Sequence, residues 1–119
     1  MARSSKAQKG GSRVKQNQDL LSYLTKITPR QQKMIISGLD RGGIETFAEI
    51  CMNLLKGSIN LTPAQIDKLR KYEESIYQLS LRSNSVAKKK RVLRQKGGFL
   101  SALLGLVPAI ISGIIAATT

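Results

Sequence analysis

The last 21 residues, from Phe99 to Thr119, carry no side-chain charge, and they follow a run of Lys88, Lys89, Lys90, Arg91, Arg94 and Lys96 through the pair Gly97 and Gly98. The two neighbours cannot be housed alike. The cations require water or an anion, whereas FLSALLGLVPAIISGIIAATT requires hydrocarbon or the apolar face of another helix.

At 119 residues the chain has room for one small domain, and the tails subtract from it. Residues 1–17 hold five Lys or Arg and no acid, and residues 82–96 hold seven and no acid. Residues 18–81 hold the other eight bases and all seven acids. The middle therefore reads as a folded unit, with the excess charge delegated to two segments suited to polyanions such as nucleic acid or anionic lipid.

There is no His, no Trp and one cysteine, Cys51. These absences argue against Ser-His-Asp and Cys-His catalysis, zinc fingers and intramolecular disulfides, so we expect no enzyme, no metal and no cofactor. Cys51 shares an apolar helical face with Phe47 and reads as a small buried hydrophobe. Residues 1–17 lack the apolar core of a secretory signal, which predicts that the chain starts in the cytosol.

The periodicity predicts an all-α protein: a disordered basic arm over 1–17, a helical bundle over 18–83, a basic segment with its Gly-Gly junction over 84–98, and a hydrophobic helix over 99–119. Thr28-Pro29-Arg30-Gln31 and Thr62-Pro63-Ala64-Gln65 both read as capping boxes with proline at the first helical position. A brief helix after Thr28 is expected to stop near Arg41-Gly42-Gly43. The next should end at Gly57 as a left-handed cap, and the longest should run over 63–82. Tyr23, Tyr72 and Tyr77 fall in or beside apolar stripes, which assigns them to packing rather than to stacking on bases.

As a helix, AKKKRVLRQK from Ala87 to Lys96 is cationic round most of its circumference. Lys88, Lys89, Lys90, Arg91, Arg94 and Lys96 are the candidate nucleic-acid-binding residues, and they would act by neutralising phosphates without reading sequence. KKKRV also has the composition of a nuclear localisation signal. The 19 residues Phe99 to Ala117 would span roughly 28 Å as one helix, close to a hydrocarbon core. Ser101, Gly105, Ala109, Gly113 and Ala117 form a small-residue ridge on it, interrupted by Pro108. Three readings stay open: a tail anchor with the basic run on the cytosolic side of a membrane, a membrane-active or self-associating segment, and a helix folded back on the bundle.

The order of basic run, Gly-Gly and apolar stretch with a mid-helix proline, KKKRVLRQKGGFLSALLGLVPAIISGIIA, resembles the C-terminal part of adenovirus core protein X, the precursor of the mu peptide. The small basic proteins of adintoviruses and of Maverick or polinton elements are similar. The resemblance covers about residues 86–117. It implies a structural virion protein, found in particles and the host nucleus, whose cations condense double-stranded DNA. It also implies an apolar part that associates with itself, with capsid proteins or with membrane, and a viral cysteine protease that cuts at Gly97 or Gly98. QKGG recurs at Gln8 to Gly11, a second site of the same form.

Overall fold

The fold is organised around one helix that is buried round most of its circumference. The computed structural model describes residues 13–95 and 98–118, with side chains as far as residue 113. In chain order the helices are α1 (Gln18–Leu24), α2 (Pro29–Gly38), α3 (Arg41–Lys56), α4 (Pro63–Arg70), α5 (Glu73–Ser80), α6 (Val86–Gln95), α7 (Phe99–Leu104) and α8 (Val107–Thr118). No strand occurs among the described residues, so the protein is all-α.

Helix α3 buries Ile44, Phe47, Ala48, Ile50 and Cys51, together with Thr46, Glu49 and Asn53. A helix buried on so many sides belongs at the centre of a bundle. Its largest helix contact is with α5, and α6 packs against α2, α3, α5 and α7. The Gly57 cap adopts φ 74°, the left-handed turn expected of it.

Both capping boxes form. Thr28 Oγ1 accepts from the Gln31 backbone N–H at 3.2 Å while Gln31 Oε1 accepts from the Thr28 N–H at 3.0 Å. Thr62 and Gln65 repeat the exchange at 3.2 and 2.9 Å. Each cap is worth about 1 kcal/mol by fixing where the chain turns into helix.

Two boundaries differ from expectation. Helix α2 ends at Gly38, and Gly42 and Gly43 open α3, because Asp40 Oδ1 accepts from the Gly43 N–H at 2.9 Å and so caps the next helix. The helix expected over 63–82 is broken at Lys71 and Tyr72 into α4 and α5. There the Tyr72 N–H donates to Leu69 O at 2.9 Å, and the Tyr72 ring meets Phe99 with centroids 5.4 Å apart.

The tail is a larger correction. Residues 99–117 do not form one straight helix: the chain turns at Gly105 and Leu106, leaving α7 and α8. Pro108 is the second residue of α8, where its missing N–H removes no intrahelical bond. Phe99, Leu100, Leu103, Leu104, Leu106, Val107 and Ile110 all belong to the buried core. The fold-back arrangement is the one observed, and no helix among the described residues is long and apolar enough to cross a membrane. The small-residue ridge is split by the turn. Ser101 and Gly105 are exposed, Ala109 and Gly113 are half-buried, and the side chain of Ala117 lies outside the described residues.

The arm expected to be disordered through residue 17 is tied down from Arg13 onward. Val14 is fully buried, and the backbone N–H groups of Arg13 and Val14 donate to Glu49 Oε1 at 3.0 and 3.2 Å. Residues 1–12, including the Gly10-Gly11 motif, lie outside the described residues.

Candidate nucleic-acid interface

Helix α6 starts where Ser85 Oγ accepts from the Lys88 N–H at 3.1 Å, and this register sorts its cations. At about 100° per residue, Lys89 and Leu93 share one face, and both are buried. Lys89 is 2% exposed, and its Nζ donates to Glu45 Oε1 and Oε2 of α3 at 3.0 and 3.3 Å. It is a core residue, and as such it cannot contact a phosphate on the surface. Lys90, half-buried, donates from Nζ to the Ser37 carbonyl at 2.9 Å in the last turn of α2. A cation there satisfies an orphan carbonyl and complements the negative end of the helix dipole.

Lys88, Arg91 and Arg94 are exposed and have no carboxylate partner among the described residues. Lys96 and Gly97 lie outside the described residues. Of the six expected cations, then, three face solvent and two are committed to holding α6 in place.

Arg91 and Arg94 do not stand alone. With Gln95 they form one wall of an open groove of about 370 Å³, and Arg30, Lys33, Met34 and Ser37 of α2 form the other. The α2 residues occur at spacings of three and four, which is one helical face. Arg30 and Lys33 did not stand out in the sequence, because neither lies in a charge run. The signal present was an Arg-x-x-Lys pair on a helix without an acid. Neither α2 nor α6 contains any Asp or Glu, so the positive potential of the groove is offset by no carboxylate of its own walls.

The neighbouring titratable groups are structural. Burial pushes the Cys51 thiol far up, outweighing the charge of Lys89, which leaves it a poor nucleophile. Burial also raises the Glu49 carboxyl, opposed by the N–H groups of Val14 and Arg13 and by the Arg13 charge.

At the junction, Gly98 caps α7 with φ 81°, and a Cβ there would stand 2.6 Å from the Tyr72 hydroxyl oxygen. Glycine is thus required by both backbone and space, whatever else the pair does. Tyr72 is buried as expected, whereas Tyr23 and Tyr77 are about half exposed and only partly serve packing.

Comparison with protein-family models, with curated proteins and with solved structures finds no match to this chain.

Proposed function

We propose that the protein binds the phosphate backbone of double-stranded DNA through the groove between α2 and α6, without sequence preference and without catalysing a reaction. One observation carries this reading: Arg30, Lys33, Arg91 and Arg94 converge from two helices on one groove whose walls contain no acid. Such a cluster costs repulsion in the free protein, and phosphates relieve it while releasing their own counterions. The guanidinium groups suit bidentate contact with phosphate oxygens, and Lys88 extends the same surface.

The resemblance at the Gly-Gly junction supplies the setting: a structural component of an adenovirus-like particle, with packaged genome as the DNA, and nucleus and virion as its locations. In that setting a viral cysteine protease would act at Gly97 or Gly98. The apolar residues after the junction hold the bundle together, and capsid or self-association would use what they leave exposed.

The test is titration of a random-sequence duplex across a salt series, comparing the natural protein with a variant in which Arg30, Lys33, Arg91 and Arg94 are all Ala. The natural protein should bind with an affinity that falls steeply as salt rises. Each neutralised phosphate contributes a slope of about 0.9 in log K against log salt, so the fourfold variant should lose roughly 3 to 4 units of slope. Equal slopes for the two folded proteins would refute the groove as the site.

A further inference from the structure

The groove contains one apolar side chain, Met34, and no account based on phosphate alone requires it there. At 67% exposure it is the most exposed large hydrophobic residue among those described. Single exposed hydrophobics are common on protein surfaces. Its placement distinguishes it: Arg30 lies one turn before it, Lys33 is adjacent, Ser37 lies three residues after, and Arg91 and Arg94 face it from α6. Gln95, which carries an amide able to contact base edges, lines the same groove.

Cations flanking an exposed flexible hydrophobe, with an amide beside it, match the chemistry needed in a DNA minor groove. There, Arg and Lys hold the backbone, Gln meets the degenerate acceptors, and an apolar wedge separates a base step. We infer that Met34 enters the minor groove of the bound duplex and packs against a partly opened base step. This rests on the DNA-binding reading above and adds a short-range apolar contact to it. The unbranched thioether adapts to such a gap better than a β-branched side chain would. Pyrimidine–purine steps such as TA open easily and A-tracts resist, so the wedge adds a modest preference for deformable steps to binding that the phosphate contacts alone would leave non-specific.

The experiment compares the natural protein, Met34→Leu and Met34→Gln on two duplexes of equal length, one of alternating TA steps and one an A-tract, each over a salt series. The natural protein and Met34→Leu should prefer the TA duplex by roughly three- to tenfold. Met34→Gln should lose that preference while keeping the same salt slope. Because Met34 is largely exposed, thermal unfolding of all three should coincide, and Met34→Leu guards against a folding artefact. If Met34→Gln retains both affinity and preference, or weakens equally on the two duplexes, the wedge is overturned. If no duplex shows salt-dependent binding, the DNA-binding reading falls and the wedge with it.

Discussion

The Lys89 ammonium lies 3.0 Å from the Glu45 carboxylate, with the lysine side chain 2% exposed and the glutamate side chain 23% exposed. The middle of the most cationic stretch of the chain is therefore a strut between α6 and α3. Removing one member of a buried pair is destabilising because the other is left as an uncompensated charge. The pair is asymmetric: a lone Glu45 can rehydrate, whereas a lone Lys89 cannot. Glu45→Ala should cost about 3 kcal/mol of unfolding free energy and Lys89→Met, which keeps the buried stem and removes only the charge, less, measured by denaturant titration. Lys88→Ala, on the exposed face, should leave stability within about 0.5 kcal/mol.

Glu49 gives the fold a pH dependence of defined sign. Burial holds its carboxyl above the ordinary 4.5, so the folded chain keeps this proton to higher pH than the unfolded chain does. This group's contribution to stability is therefore largest below pH 4.5 and declines as pH rises through the folded value. The difference in unfolding free energy between the natural protein and Glu49→Gln should shrink or turn negative over that window. A difference that grows with pH would contradict the assignment.

Gly98→Ala should destabilise by about 2 kcal/mol, since it places a side chain in left-handed backbone and against the Tyr72 hydroxyl. Adding Tyr72→Phe removes the clash and leaves the backbone strain. The alanine substitution should then cost less in the Tyr72→Phe background than in the natural one, as a double-mutant cycle read by thermal unfolding would show.

Deleting residues 99–119 removes, among the described residues, seven buried apolar side chains, Phe99, Leu100, Leu103, Leu104, Leu106, Val107 and Ile110. At about 1.5–3 kcal/mol each, the loss matches or outweighs the roughly 5–15 kcal/mol that typically holds a domain together. The truncated chain should show no cooperative unfolding by circular dichroism. A cooperative transition would mean that the bundle stands without its tail.

The caps were legible because they are local: Thr28, Thr62 and Gly57 determine their turns with residues no more than four positions away. The break at Tyr72 was not, because Leu69, Tyr72, Ile76 and Leu79 keep helical spacing straight through it. The packing partners of Tyr72 at the break, Phe99 and Gly98, lie far along the sequence. The cations of α6 were legible as a charge run, but the burial of Lys89 depends on Glu45, 44 residues earlier. Arg30 and Lys33 come to share a groove with Arg91 and Arg94 only when α2 packs beside α6. The apolar tail was legible as a stretch that must be covered, and what covers it is the chain's own bundle.

Helix α6 carries groove and strut on opposite faces, and this governs how its role can be dissected. Replacing Lys88 to Arg91 wholesale with neutral residues would withdraw the support of α3 along with the charge, so a loss of binding would report a collapsed scaffold. Conversely, a polyphosphate held in the groove would rest on both α2 and α6 and would bind only when they are assembled. By linkage such a ligand should raise the melting temperature in proportion to the logarithm of its concentration.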